Sequence, residues 1–294
     1  MTDETQAEER RTQPLKPSQP AVLLVAIKRL VADEAVTLAG NIAFRTLFSA
    51  FPFLIFLTAL AGFFGNEALA QGVVDFLLSV APVELVSPLI KEIHSILTVR
   101  RTDLLSLGAL ITVWSAMGGV DSVRIGLNRA YNVRERRPVL VLYANSVMFV
   151  LTAAVMLLVL ALLIVFAPVI LAFINSYAPQ LRGWIGMFSL IRFPVAVIVL
   201  IVGLTMAHML LPAKRLKFLA IVPGVLLTVI VWAILSIAYS IYLVRFATFA
   251  SMYAGLSGVF AALFFLYLSA LVLLLGGEVN RVLALRRGET ATEG

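Results

Sequence analysis

The chain has 294 residues, of which 61% are hydrophobic and 13% charged, with a formal net charge of +7 and a mean hydropathy of +1.02. A soluble domain averages about 25% charged and roughly 45–50% apolar residues, so this composition cannot furnish a soluble enzyme's polar skin, and the bilayer is the solvent that suits it. Cys is absent, which excludes a disulfide framework and a thiolate metal site.

Residues 1–20 are polar, carry mixed charge and contain Pro14, Pro17 and Pro20, and are expected to form a disordered cytoplasmic tail. Residues 21–40 are amphipathic: Val22, Val25, Ile27, Leu30 and Val31 are interrupted by Lys28, Arg29, Asp33 and Glu34. Those charges make spanning costly, so an interfacial helix on the inner surface is expected there. Residues 41–285 read as a single transmembrane domain of six helices, because about 20 helical residues cross the hydrocarbon core. The apolar stretches are 42–64, 104–122 (continuing helically toward Tyr131), 139–174, 187–211, 218–244 and 257–283. Between the first two, Val73, Phe76 and Leu77, then Leu89, Ile93 and Ile96, recur at helical spacing around Pro82 and Pro88. Two short amphipathic helices on the outer surface are expected from them. Residues 286–294 form a second cytoplasmic tail. The fold class is therefore an all-α integral membrane protein.

Charge placement sets the expected orientation. Arg124, Arg129, Arg134, Arg136, Arg137, Lys214, Arg215, Lys217, Arg281, Arg286 and Arg287 fall on one side, against Lys91, Arg100, Arg101, Arg182 and Arg245 on the other. The positive-inside rule puts both termini in the cytoplasm. The basic balance is then an orientation signal, and no nucleic-acid partner is expected.

Ionisable groups within spans cost about 2.5–3.5 kcal/mol at a helix centre on insertion scales, so each needs a reason. Asn41, Arg45 and Ser49 repeat every fourth residue and make one polar stripe on the first span. Asp121 closes the second span, where Arg124 offers a local partner at i+3, and Ser115, Gly118, Gly119 and Ser122 leave a small face for close helix packing. His208 lies at the end of the fourth span before Pro212, and Glu278 follows Gly276 and Gly277 near the end of the sixth. Arg45, Asp121, His208 and Glu278 fall at one depth near the inner leaflet. They are expected to line a cytoplasm-facing polar vestibule, with Arg45 bridging to Asp121 or Glu278. Pro52, Pro168, Pro194 and Pro223, with Gly203 and Gly224, are candidate kinks that would free carbonyls. Residues 246–258, small and aromatic without net acid, are expected to anchor at the interface through Phe249 and Tyr253. With two histidines on different elements, neither a metal nor another cofactor is expected.

At these residues the sequence resembles the YihY/BrkB family of bacterial inner-membrane proteins, over residues 39–283. Ala43, Phe44, Leu47, Ser49 and Pro52 resemble its first-span signature, with the Leu–Ser interval one residue longer. Asp121 with Ser122, Leu211 with Pro212, and Leu275, Gly276 and Glu278 resemble later family features. Phe44 stands where a Tyr is common, and Arg45 where an apolar or aromatic residue is usual. The resemblance implies six helices, inner-membrane residence and links to virulence or envelope resistance in some members. Part of the family has carried a ribonuclease label. That activity needs general acids and bases, or clustered metal-binding carboxylates, beside a basic groove. The scattered acids here do not supply them, so no enzyme is expected. The expected function is transport of a small solute, ion or lipid through the kinked-helix bundle. The alternative is a non-transporting membrane scaffold or envelope-integrity protein.

Overall fold

The computed structural model describes residues 22–64, 102–161, 163–164, 182–214, 216–250 and 256–288, with isolated helical positions between 67 and 98. Seven helices carry the description: α1 Val22–Ala32, α2 Ala35–Phe64, α3 Thr102–Ala130, α4 Val139–Ala161, α5 Arg182–Leu210, α6 Phe218–Ala250 and α7 Leu256–Arg286. No strand occurs among the described residues. Five stretches are long and apolar enough to cross a membrane: Ala35–Phe56, Val139–Leu160, Leu190–Leu210, Phe218–Leu243 and Gly258–Arg286. Helix α3 has 29 residues but turns polar from Asp121 onward, through Arg124, Asn128 and Arg129, and stands outside those five.

Several boundaries differ from the sequence reading. The 21–40 segment is two pieces, because α1 stops at Ala32 and Glu34 adopts φ 57°, a left-handed conformation that cannot continue a right-handed helix. The first long helix then begins at Ala35, seven residues before the apolar run at 42, since nothing in Ala35–Asn41 interrupts it and Leu38 N–H bonds Glu34 O at 3.1 Å. Helix α6 runs on to Ala250 through residues expected to lie in an outer connection. The end of the 139–174 stretch, Pro168 and most of the 65–103 connection lie outside the described residues. The α3 terminus is a Schellman motif: Asn132 takes φ 53°, Val133 N–H bonds Asn128 O at 2.8 Å, and Asn132 N–H bonds Arg129 O at 2.9 Å.

The chain divides into two compact units, Met1–Ala43 with Val120–Gly294, and Phe44–Gly119. In the larger unit α6 and α7 make the most extensive contact, α1 lies on α7, and α5 packs on α6 and on α4. The α6–α7 pair meets backbone to backbone. A Cβ added at Gly224 would overlap the Gly276 carbonyl oxygen, and one added at Gly276 would overlap Thr228 Oγ1 and lie 2.8 Å from Gly224 O. Above that crossing Thr228 Oγ1 donates to Val272 O (3.4 Å), Trp232 Nε1 to Ser269 Oγ (3.0 Å), and Tyr239 Oη to Ala261 O. Small contacts and side-chain hydrogen bonds are what join helices when lipid removes the hydrophobic incentive. Gly277 turns to α3, where a Cβ would lie 3.1 Å from Ala130 Cβ. In the smaller unit the small face of α3 receives α2: a Cβ at Gly108 would sit 3.4 Å from the Phe56 Cα, and one at Gly118 3.0 Å from Arg45 Nη1.

Burial is inverted relative to a soluble domain. Large apolar side chains face out, Leu140 at 81% and Leu190 at 77% exposure among them. The buried set is rich in alanine (Ala26, Ala35, Ala39, Ala43, Ala130, Ala270) and includes Asp33, Ser122, Asn128, Ser146, His208, Glu278, Asn280 and Arg281. Outward Leu and Ile suit lipid, and inward polar groups must find partners within the protein. The Gly276→Val variant is expected to lose a monodisperse folded species in size-exclusion chromatography of the detergent-solubilised chain. Gly40→Ala, with nothing within 4 Å of the new methyl, is expected to match or exceed the parent in thermal unfolding, since alanine is favoured over glycine by about 1 kcal/mol in a helix interior.

Candidate functional site

The buried polar groups gather where α3 ends, α5 ends, α6 begins and α7 ends. Asn280, on the last turns of α7, lies beside the α6–α7 glycine crossing, and its Oδ1 accepts from Gly224 N–H at 2.7 Å. Pro223, the residue before, has no N–H and its ring opens the helical ladder there. The Asn280 Nδ2 donates to Tyr131 Oη at 3.0 Å, and Tyr131 Oη lies 2.7 Å from His208 Nδ1, the two rings meeting edge to face. His208 is 0% exposed, and its Nε2 has no hydrogen-bond partner among the described residues.

One turn away, Arg281 Nη1 donates to Asp33 Oδ2 at 3.2 Å and faces Ala130 O at 3.5 Å. Arg129 Nε stands 3.8 Å from Asp33 Oδ1. Asp33 occupies the break between α1 and α2, so this pair holds the corner of those helices against α7 and the end of α3. The Glu278 carboxyl, 1% exposed, neighbours Asp33, Arg281 and Arg29, and its Oε2 is also without a hydrogen-bond partner among the described residues. A buried ion pair is costly to desolvate, and a further buried carboxyl beside it adds to that cost.

The α3–α4 connection forms a separate clamp. Glu135 accepts from Arg124 Nη1 (2.9 Å), Asn128 Nδ2 (3.2 Å) and Arg137 Nε (2.8 Å) and Nη2 (2.7 Å). Arg137 Nη2 also donates to Leu211 O at 2.8 Å, and Asn128 Oδ1 accepts from Ala213 N–H at 2.8 Å, which ties the α5–α6 connection to the end of α3. The Arg137 hydrogen bonds, against an opposing cost of burial, hold the Glu135 carboxyl down at about 2 from the ordinary 4.5. Asp121 accepts from Ser146 Oγ of α4 at 2.8 Å and pairs with Arg124 Nη2 at 3.2 Å, the local i+3 arrangement.

Of the residues singled out from the sequence, His208 and Glu278 lie in this buried region, where Tyr131 neighbours both. Asp121 lies instead in the separate clamp, through Arg124 and Glu135, and Ser122 is buried. On α2, Asn41 and Arg45 are exposed, Ser49 Oγ donates to Thr46 O of its own helix at 2.7 Å, and Pro52 lies within the helix. Arg45 Nη1 donates to Gly118 O at 3.5 Å, while Asp121 is held by Ser146 and Arg124, and Glu278 neighbours Asp33, Arg281 and Arg29. The sequence reading missed Tyr131, Asn280 and Asp33 as site residues. It also missed Arg192 within α5, whose guanidinium lies 4.6 Å from the Phe193 ring centroid, with Nε and Nη1 buried and without a partner among the described residues. The available signal was the pairing of amide and charge at the close of apolar runs, as in Glu278–Asn280–Arg281 and Asn128–Tyr131. Among the described residues no group of three or more His, Asp and Glu is placed to hold a metal ion.

Because Glu135 titrates lower folded than unfolded, its stabilisation is complete above about 4.5 and is lost as pH falls through about 2. Glu135→Gln is therefore expected to lower the thermal midpoint by a few degrees at neutral pH. The gap to the parent is expected to narrow as the scans move down through that window, and a gap independent of pH would show that the charge contributes nothing.

Comparison with known proteins matches residues 26–294 to the virulence factor BrkB family model. The chain is 28% identical over 259 residues to the ribonuclease-like protein YfkH of Bacillus subtilis, covering 88% of this chain and 94% of that one. It is 24% identical over 264 residues to a UPF0761 membrane protein of Pseudoalteromonas translucida (89% and 85% of the two chains). A UPF0761 membrane protein of Chlorobium luteolum is 26% identical over 258 residues, 87% of this chain and 58% of that one. No solved structure matches. With its all-helical fold and long apolar helices, the chain is an integral, multi-pass membrane protein that belongs to the virulence factor BrkB family.

Proposed function

We propose that the chain transports a small solute, ion or lipid, by movement of kinked helices around the buried polar cluster. The observation that carries this reading is the presence of two buried ionisable side chains, His208 and Glu278, each with a polar atom unpaired among the described residues. Ionisable groups at membrane depth are retained at a cost, and by default mark a pathway. Prolines inside α2, α5 and α6 (Pro52, Pro194, Pro223) supply points where a helix bends. In this reading α3 is the sixth crossing. Asp121, Ser122, His208 and Glu278 line the inner mouth, and Asn41, Arg45 and Ser49 form a polar stripe of their own on α2. In this reading the membrane is the bacterial inner membrane and both termini are cytoplasmic, the side that the basic connections favour.

A scaffold or envelope-integrity role is the second reading. It is favoured by the α3–α4 clamp, where Asp121, Arg124, Glu135 and Arg137 pair with one another, as in a structural network. Neither reading includes ribonuclease activity: Glu135 is occupied by Arg124 and Arg137, and Asp33 by Arg281, so neither carboxylate is placed to act as a base.

Two measurements test this. Proteoliposomes loaded with a panel of labelled ions and small solutes, and carrying a fluorescent phosphatidylethanolamine for headgroup quenching, are expected to pass at least one probe faster than protein-free vesicles. Equal rates across the whole panel would leave the scaffold reading. Because the chain lacks cysteine, single replacements report sidedness directly. Lys214→Cys is expected to react with an impermeant maleimide only after cells are permeabilised, and Lys91→Cys before. The reverse pattern would invert the orientation.

A further inference from the structure

Three hydrogen bonds order the protons around His208. Gly224 N–H can only donate, so the Asn280 atom facing it is the amide oxygen and the amide nitrogen faces Tyr131. That nitrogen can only donate in turn. Tyr131 Oη accepts from it and has its single proton left for His208 Nδ1, 2.7 Å away. In the neutral ring the arrangement that uses the Tyr131 proton makes Nδ1 the acceptor and leaves the hydrogen on Nε2. A backbone N–H thus favours one histidine tautomer through two side chains. The output of that chain is a buried Nε2–H with no acceptor among the described residues, and the same cluster holds the Glu278 Oε2, also unpaired. Burying such groups unpaired is costly, and both belong to side chains no more than 1% exposed.

We infer that the Tyr131–His208 hydrogen bond is a reversible proton-binding site, with Glu278 as the neighbouring carboxyl, and that a proton is the ion coupled to movement of the transported species. The coupling rests on the transport reading above. Uptake forms one N–H bond, at Nδ1, as one O–H bond of a hydronium ion breaks and water is released, and no other covalent bond changes. The Tyr131–His208 bond then reverses, Tyr131 Oη accepting from both His208 and Asn280 while its own hydroxyl proton turns away. Loss of that proton restores the first arrangement. The two states differ in which partner donates in the bond that ties the end of α5 to the end of α3, and in the charge buried there, so proton occupancy acts on helix ends.

The groups that face this site are few. The end of α3 contributes Tyr131. Helix α7 contributes Asn280 and Glu278, and around Glu278 stand Arg281 of the same helix, Arg29 of α1 and Asp33 of the α1–α2 corner. Helix α6 contributes the Gly224 backbone. Beyond His208, Arg137 reaches the Leu211 carbonyl.

The test uses the full chain in liposomes and has two arms. In the first, imidazole nitrogen NMR resolves the two histidines, with His94→Gln assigning the other signal. His208 is expected as the Nε2-protonated tautomer. On acidification it is expected to convert reversibly to the doubly protonated ring, and Tyr131→Phe is expected to abolish the tautomer preference. The opposite tautomer in the parent, or a ring that never converts while the protein stays folded, overturns the site. In the second arm, vesicles enclosing a pH-sensitive dye and clamped with a potassium ionophore receive an external acid step. The parent is expected to acidify them faster than protein-free vesicles, with a loss of about tenfold or more in His208→Gln and in Tyr131→Phe, both checked as folded by size exclusion. Variants as fast as the parent overturn the relay. Vesicles that pass a panel probe yet stay sealed to protons overturn the coupling and leave transport standing. Vesicles that pass neither overturn transport, and the NMR arm then decides the proton site alone.

Discussion

The close approach of Gly224 and Gly276 is the contact on which the rest of the polar architecture depends. Two backbones meet there because neither residue has a Cβ, and the approach brings Asn280 within reach of the Gly224 N–H. A larger residue at either glycine would push α6 and α7 apart, and the amide would lose the donor that fixes its orientation. From Asn280 the constraint passes to Tyr131 and then to His208, so a steric fact about two glycines becomes an electronic fact about an imidazole. Few interactions are needed for this, because burial leaves each polar atom a short choice of partners.

A second constraint is the inversion of side-chain placement. In water, Leu and Ile would be drawn inward and the charges outward. Here the large apolar residues face outward, and Asp33, His208, Glu278, Asn280 and Arg281 are buried. Burying Asp33 and Arg281 costs both hydration shells, and the 3.2 Å pair with its bond toward Ala130 O offsets that cost. The pair also has a positional effect, since it pins the left-handed break at Glu34 and so decides where α1 leaves off and the first long helix begins. The clamp around Glu135 works by another route. It lies in a connection, has five donor contacts from three residues, and fixes the turn between α3 and α4.

Much of the fold was legible in the sequence because the membrane imposes a length and a composition on each crossing helix. The runs beginning at 139, 218 and 257 match α4, α6 and α7 at their starts within a residue or so. What periodicity could not locate were the breaks. Glu34 and Asn132 are ordinary polar residues in sequence, and only their left-handed backbone separates α1 from α2 and ends α3. The candidate site was half legible. His208, Asp121, Ser122 and Glu278 stand out as polar groups in apolar runs. Tyr131, Asn280 and Asp33 do not, since each sits at a helix end where polar residues are common. Arg192 lay inside an apolar run and was legible in principle.

Hydropathy and segment length are local properties and a family signature is a string of residues, so the solvent, the helical class and the family can be read along the chain. The partners cannot. Asp33 and Arg281 stand 248 residues apart and Asn280 and Tyr131 149 apart, and no local pattern encodes which distant polar group a buried one will meet. That choice follows from how closely the helices approach, and the approach is set by glycines whose role appears only when their neighbours are in place.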